Sequence, residues 1–350
     1  MTSWTTSREL GMRSEVLSTL ATDTLLQQDY YSMSGYFTPI LTSIARRGLL
    51  LFGFGALFAT SSELWFYQVE VGFGFGVTLL AYGLAGYLCW LYLIRYRVPN
   101  SVGFLIAALF GFLIEGVPVS VLYAQLPFSL VWTSLAWHAL LTIGVGFYVY
   151  RREMIGESLW RAGALNVAIG GGLGLWNGYM WTAVESTGGE VTFVFAETGP
   201  FAAQFLLGWG LFVVGHLTFE RVVQPGRDVS NIEFGTVAGL VTVAWLLGQF
   251  LLMFPLSLVL PVLVGLVTLV LDWAADQEND RWVHRKLCVP IPPRRYALSG
   301  LIPLVAVGVF HAINTYQVGI EANVWLILTA GPLSVYFLIR GVAHAVWSVE

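Results

Sequence analysis

Charged residues are scarce in this chain and make up only 11% of its 350 residues. About a quarter of the residues in soluble globular domains are charged, so this composition excludes an ordinary soluble fold. Hydrophobic residues make up 57% of the sequence instead, and the mean hydropathy is +0.72. The composition therefore predicts an integral membrane protein.

Several other features are absent. The sequence has only two cysteines, which predicts no disulfide framework. Its basic residues form pairs at segment ends rather than a long patch, so nothing indicates a nucleic-acid partner. HExxH, GxSxG and Walker patterns are missing, and no cysteine pair has metal-ligand spacing. No enzyme class and no metal site is predicted, and the cofactor question stays open.

Ten apolar segments separated by short polar connections are present, each about as long as the ~20 residues that cross a hydrocarbon core. These segments are 48–67, 72–94, 101–123, 127–150, 158–183, 199–218, 235–255, 256–272, 296–316 and 323–347. They predict an all-α polytopic membrane protein with ten transmembrane helices.

The basic residues orient these helices. With a cytoplasmic N-terminus and ten crossings, all 17 Lys and Arg residues lie at or near the cytoplasmic face. The outer loops then hold no basic residue and carry Glu70, Glu185, Glu190, Glu197 and Glu321. Short loops rich in Lys and Arg stay inside, so we expect both termini in the cytoplasm. The expected location is a prokaryotic plasma membrane, with the lipid bilayer as the partner.

Residues 1–47 and 48–350 form the two predicted regions. The first region carries acidic and small polar residues and lacks the apolar run of a secretory signal, which predicts a cytoplasmic N-terminal segment. The second is the ten-helix transmembrane domain, with one sizeable cytoplasmic loop at 273–295. This loop combines mixed charge with a proline-rich stretch.

Glycines predict where helices approach each other. Gly170, Gly174 and Gly178 follow one another at four-residue spacing in the fifth segment, and Gly72 and Gly76 do so in the second. Small residues at this spacing let two helix backbones approach closely in lipid. The fifth helix is therefore expected to be central.

Polar residues within the apolar segments form a predicted layer in the outer half of the membrane. Counted from the charged residues at the inner boundary, the polar residues on the outward-running helices lie at similar depths of about 24–27 Å, at 1.5 Å per residue. The outward-running helices contribute Glu63, Glu115, Asn177, Gln249, His311 and Asn314, and the returning helices contribute Gln204 and His138. These eight residues are the candidate substrate- or proton-binding residues.

Glu115 and His138 are the strongest pair within this layer. They lie on either side of the tight connection near 124–126, at similar distances from it, and are expected to face each other. A buried carboxylate in a membrane is costly, so it is usually paired or functional. A Glu–His pair can relay a proton, act as acid and base, or simply tie two helices together.

Three functions fit this pattern. The first is a permease for a small solute or lipid, with Glu115 as the coupling group and His138 and His311 as its partners. The second is an intramembrane enzyme that modifies a lipid or isoprenoid. The third is an accessory or assembly subunit whose polar layer only fixes helix packing. The sequence favours the permease and identifies neither the substrate nor the oligomeric state.

Overall fold

A computed structural model describes residues 39–187, 190–223, 228–275, 283–318 and 322–347. The chain divides into two compact units, residues 1–48 and 49–350. In the first unit the described residues, 39–48, belong to the first helix. Residues 1–38 of the predicted N-terminal segment 1–47 therefore lie outside the described residues. Residues 276–282 of the predicted loop 273–295 lie outside them as well.

The described chain is mainly helical. Its helices are α1 (Pro39–Ala59, followed by a wide π-helical turn, Thr60–Leu64), α2 (Phe73–Arg95), α3 (Phe104–Gly116), α4 (Val121–Ala124), α5 (a π-helix over Leu130–Val149 that continues as an α-helix over Tyr150–Ile155), α6 (Leu159–Met180), α7 (Thr198–Val222), α8 (Asn231–Trp245, ending in a π-helical turn, Leu246–Phe250), α9 (Val259–Ala275, after a 3-10 turn, Leu256–Leu258), α10 (Val283–Leu287), α11 (Pro293–Ser299), α12 (Leu301–Tyr316) and α13 (Ala322–Trp347).

Eight helices in the described part of the chain are long and apolar enough to cross a membrane: Ile44–Leu64, Phe73–Arg95, Leu130–Ile155, Thr198–Val222, Asn231–Phe250, Leu256–Ala275, Pro293–Tyr316 and Ala322–Trp347. Several of them leave large apolar side chains exposed; Ile232 and Leu247, for example, are 83% exposed. An exposed apolar surface of this kind suits contact with lipid. The protein is a multipass membrane protein.

The third predicted segment, 101–123, is interrupted. Its α-helix, α3, ends after 13 residues at Gly116, and the short α4 follows after a turn. Pro118 accounts for the end of α3, because proline has no N–H to donate and its ring clashes with the carbonyl four residues earlier. The fifth predicted segment forms α6, which has 22 residues but is rich in glycine. These two helices are not among the eight.

A two-stranded antiparallel hairpin joins α6 to α7, where the sequence suggested a plain outer loop. Its strands are β1 (Thr182–Thr187) and β2 (Glu190–Phe195), and Thr182 pairs with Phe195.

The glycine spacing in α6 marks a close helix contact. A Cβ atom placed on Gly170 would lie 2.6 Å from the Ile302 carbonyl oxygen, and one on Gly174 would lie 2.7 Å from that of Ala306. A Cβ on Gly178 would lie 2.6 Å from the Ile313 side chain. All three neighbours belong to α12, so α6 and α12 meet with their backbones in near contact.

The same kind of contact joins two other helix pairs. A Cβ on Gly55 of α1 would lie 2.2 Å from the Leu79 carbonyl oxygen of α2, and one on Gly83 would lie 2.3 Å from that of Leu51. A Cβ on Gly111 of α3 would lie 2.0 Å from the Ser134 carbonyl oxygen of α5. Gly72 and Gly76 have open space around them, so the expected contact there was wrong.

Candidate functional site

Side chains from four helices meet in one hydrogen-bonded group, which we call the polar cluster: Ser62 and Glu63 from the end of α1, Tyr82 from α2, Glu115 from α3 and His138 from α5. Glu63 is half-buried, and the other four side chains are buried. The exposed fraction is 0% for Ser62, 4% for Tyr82, 7% for Glu115 and 2% for His138. The π-helical geometry at Thr60–Leu64 and along α5 widens the backbone where three of these residues lie. Such widened turns are frequent at functional sites.

His138 lies at the centre of the polar cluster. Its Nε2 atom is 2.6 Å from Oε1 of Glu115, and its Nδ1 atom is 2.8 Å from Oγ of Ser62. A neutral imidazole donates from one ring nitrogen and accepts at the other, whereas an imidazolium donates from both. The ring therefore connects Glu115 to the Ser62 hydroxyl in either protonation state.

Tyr82 and Glu63 complete the chain. The Tyr82 hydroxyl donates to Oε1 of Glu63 and lies 3.1 Å from Oγ of Ser62. The Ser62 hydroxyl is also 3.5 Å from the same Glu63 oxygen. Two carboxyl groups, a phenol, a hydroxyl and an imidazole thus form one path from α2 to α3.

One atom of the cluster stands apart. Oε2 of Glu115 is buried and has no hydrogen-bond partner within the described residues. Buried polar atoms are nearly always hydrogen-bonded, so an orphan of this kind requires an explanation. This oxygen can therefore accept one further hydrogen bond or a proton.

Aromatic rings flank the cluster. The indole N–H of Trp137 donates to the backbone oxygen of Ser62 at 3.2 Å. The Trp137 ring lies 4.5 Å from that of Phe66 and 5.0 Å from that of Trp176, between ring centroids. These three rings therefore pack together beside the backbone of Ser62.

Asn177 and Gln204 hold the backbone that follows Glu63. Nδ2 of Asn177 donates to the Trp65 carbonyl at 2.7 Å. Nε2 of Gln204 donates to the carbonyls of Leu64 at 2.8 Å and Tyr67 at 2.6 Å, and its Oε1 accepts from the Val69 N–H at 3.2 Å. Their hydrogen bonds therefore position this segment.

The remaining candidates lie elsewhere. His311 is exposed, and its Nδ1 atom is 3.2 Å from the Thr198 hydroxyl. Asn314 donates to the Ala196 carbonyl at 2.7 Å. Gln249 is buried, and its Oε1 has no partner within the described residues. His311 was expected to be a partner of Glu115 and His138. In the part of the chain that the structure describes, it bonds to Thr198 instead.

Sequence reasoning missed Tyr82 and the role of Ser62. Both are neutral hydroxyl residues in apolar helices, where they are common and seldom informative. The one signal was position, because Ser62 directly precedes Glu63.

A second buried polar group, the Arg151 network, was also missed. It consists of Arg151, His216, Glu220 and Tyr296. Arg151 is 0% exposed and donates to Glu220 at 3.1 Å, to His216 at 3.2 Å, and to the carbonyls of Leu287 at 3.1 Å and Val289 at 2.8 Å. Glu220 also accepts from Tyr296 at 2.8 Å and from the Ile291 N–H at 2.9 Å.

The Arg151 network holds the 287–291 segment against α5 and α7. Cys288 lies within this segment, and burial raises the pKa of its thiol to about 11, although the nearby Arg151 charge lowers it slightly. The network is therefore a structural tie at the predicted cytoplasmic end.

A cavity of about 420 Å³ lies between α1, α2, α3, α5, α10 and α13. Phe58 and Phe110 belong to its apolar wall, and Arg152 and Arg340 supply positive charge. The Phe110 ring is 6.4 Å from that of His138 and 5.9 Å from that of Tyr82, between centroids. A single layer of aromatic side chains thus separates the cavity from the polar cluster.

Within the described residues, no group of three or more His, Cys, Asp or Glu side chains is arranged to hold a metal ion. Comparison of the chain with protein-family models, with curated proteins and with solved structures gave no match in any of the three.

Proposed function

We propose that this chain is a permease for a small solute or lipid, in which the polar cluster binds the coupling proton. The observation that carries the proposal is the buried Glu115–His138 pair with its unpartnered Oε2 atom, one aromatic layer from a cavity. Ionisable groups inside membrane bundles typically mark ion pathways and proton relays.

Charge balance supports proton binding. With both carboxyl groups ionised, the cluster carries two negative charges, and an imidazolium at His138 balances only one of them. Uncompensated charge in a largely buried site is costly, and a proton bound to one carboxyl group would remove it. The hydrogen bonds that link Glu63 through Tyr82, Ser62 and His138 to Glu115 would provide a path for a proton between the two carboxyl groups.

The cavity supports the transport part of the proposal. Transporters place their substrate near the middle of the bilayer and reach it from one side at a time. The cavity extends from Arg152 and Arg340, at the predicted inner end of α5 and α13, to Phe58 and Phe110 beside the cluster. This arrangement is expected of a state open to the inside, with the cluster closing the outer half.

The topology that accompanies this proposal is ten crossings with both termini in the cytoplasm. Labelling of single cysteines with a membrane-impermeant maleimide tests it, in a background in which Cys89 and Cys288 are replaced by alanine. Glu70→Cys and Gln125→Cys are expected to react in intact cells, and Arg294→Cys only after permeabilisation. Labelling of Gln125→Cys tests whether the segment that contains the short α3 crosses the membrane. Absence of labelling at this position in intact cells would contradict ten crossings.

Proton binding is tested without knowledge of the substrate. Infrared difference spectra of the purified protein, recorded between acidic and alkaline pH, report the C=O band of a buried carboxylic acid. We expect a reversible band that Glu115→Gln removes or shifts and that the exposed-site control Glu70→Gln leaves unchanged. A cluster whose carboxyl groups do not titrate would contradict proton coupling.

Transport is tested in proteoliposomes that contain a pH-sensitive dye. A panel of metabolites and lipids is added, and substrate-dependent proton movement is expected in the unmodified protein and in Glu70→Gln, but not in Glu115→Gln. Chemical conversion of a lipid in the same vesicles would support the enzyme alternative. Normal assembly of Glu115→Gln, with neither transport nor conversion in the unmodified protein, would support the accessory alternative.

A further inference from the structure

We infer that the cavity between α1, α2, α3, α5, α10 and α13 is a binding site for an anionic amphiphile with a single hydrocarbon chain. This amphiphile would be the ligand of the proposed permease, but its binding rests on the cavity alone, and only its transport rests on the proposed function. The ligand chemistry is that of a fatty-acid carboxylate or a lysophospholipid phosphodiester.

The size of the cavity is that of a small-molecule site. Its volume of about 420 Å³ is within the range of about 300–1,000 Å³ that is typical of small-molecule sites. On α2 the wall extends from Gly86 to Leu93, which is about 10 Å at 1.5 Å per residue. A wall of this length contacts part of a hydrocarbon chain.

The wall is apolar over most of its length. Phe54, Phe58, Phe110, Leu140 and Phe147 are among its lining residues. Hydrocarbon that is buried against such side chains gains about 25 cal/mol per Å² of apolar area removed from water. The body of the cavity therefore favours an acyl chain over a polar solute.

The charge is confined to one sign. The charged lining residues within the described chain are Arg152 and Arg340, and no carboxylate lines the cavity there. Both arginines lie on exposed positions, and the side chain of Arg152 is 64% exposed. Oε1 of Glu153 is 3.7 Å from Arg152, but it lies closer to Arg161, at 2.8 Å. Arg152 thus keeps most of its donors for an anionic headgroup, which guanidinium groups bind well.

Quenching of tryptophan fluorescence tests this inference, because Trp90 lines the cavity. Spin-labelled stearate serves as the probe, with purified protein in a nonionic detergent, and Trp90→Phe identifies the part of the signal that comes from the cavity. Stearate and stearoyl lysophosphatidylglycerol are then added as competitors, beside uncharged monostearoylglycerol and cationic octadecyltrimethylammonium. These four molecules share one chain length and differ in the headgroup.

We expect at least one of the two anions to displace the probe about tenfold more effectively than the uncharged and cationic molecules, a difference of about 1.4 kcal/mol. Displacement by stearate alone identifies a free fatty acid, and displacement by the lysophospholipid alone identifies a membrane lipid. Equal displacement by all four headgroups would overturn the inference.

Variants locate the site. Arg152→Gln combined with Arg340→Gln is expected to weaken anion binding about tenfold, whereas Arg221→Gln, an exposed arginine outside the cavity, leaves it unchanged. Ala107→Phe fills the cavity and is expected to abolish binding of every ligand. If Ala107→Phe does not fold, the arginine double variant and Trp90→Phe test the site instead. The site would be wrong if the double variant still prefers anions, or if quenching in Trp90→Phe is as strong as in the unmodified protein. A folded Ala107→Phe protein that still binds would do the same.

Binding and transport can fail separately. Binding with the expected headgroup preference, but without substrate-dependent proton movement, would leave the ligand site in place and remove the permease. Proton-coupled transport of another solute without binding would do the reverse.

Discussion

Nε2 of His138 lies 2.6 Å from Oε1 of Glu115, and the two side chains approach from α5 and α3, on either side of one tight connection. The other ring nitrogen of His138 bonds to Ser62 on α1, so the imidazole joins two neighbouring parts of the bundle. Replacement of either partner therefore affects stability as well as any proton chemistry.

Glu115→Leu is expected to destabilise the protein by about 1–3 kcal/mol, because it leaves Nε2 of His138 buried without a partner. Glu115→Gln keeps an acceptor oxygen near the ring and is expected to cost clearly less. Denaturant unfolding in detergent measures both, with Glu70→Leu at an exposed position as the control. Equal stability of all three variants would contradict the buried pair.

Gly174→Ala is expected to destabilise the contact between α6 and α12. The added Cβ would lie 2.7 Å from both the Ala306 carbonyl oxygen and Cβ of Val309. Overpacking of this kind typically costs about 1–3 kcal/mol. Gly172→Ala is the matched control, since open space surrounds that position, and alanine there is expected to be neutral or slightly stabilising. The thermal midpoints of the two variants should therefore differ, and identical midpoints would place the contact elsewhere.

Arg151→Gln is expected to cost about 3–5 kcal/mol, because it leaves the buried Glu220 carboxylate without its cation. Two carbonyl acceptors, of Leu287 and Val289, lose a donor as well. Arg152→Gln, one residue further along, is the control: its side chain is 64% exposed, so a change within about 0.5 kcal/mol is expected. Unfolding curves of the two variants should separate widely, and superimposed curves would show that Arg151 is not a structural tie.

Cys288 is expected to react slowly with maleimide at neutral pH. Burial raises the pKa of its thiol to about 11, above the value of an ordinary cysteine, so a smaller fraction is thiolate. The labelling rate should therefore rise as the pH increases toward about 11, beyond the point at which a small free thiol has levelled off. Labelling kinetics of a Cys89→Ala variant measure this rate. A plateau near the ordinary cysteine pKa would contradict the partial burial of Cys288.

The sequence predicted most helices and the Glu115–His138 pair for physical reasons that are local. Apolar length marks a span, and counting from the connection near 124–126 places the two residues at one height. The depth of a residue in the membrane does not tell which helices are neighbours. His311 is an example, because its predicted depth is similar to that of Glu115, but its hydrogen bond is to Thr198. Neighbour relations depend on distant parts of the chain.

Two further differences have identifiable causes. The span at 101–123 was expected to be continuous, but Pro118 follows α3 closely and α3 ends at Gly116. Arg151 lies near a helix end, where an arginine normally reaches water. Its burial depends on carbonyls of Leu287 and Val289, which are far away in sequence.

The glycine contacts described above bring the backbones of three helix pairs, α1 with α2, α3 with α5, and α6 with α12, close together. Two of these pairs, α1 with α2 and α3 with α5, contribute all the residues of the polar cluster. Ser62, Glu63 and Tyr82 lie on the first pair, and Glu115 and His138 on the second. The 2.8 Å hydrogen bond between Ser62 and His138 therefore connects these two helix pairs. We expect that the charge on the His138 ring changes the strength of this hydrogen bond, and with it the strength of the connection between the two helix pairs.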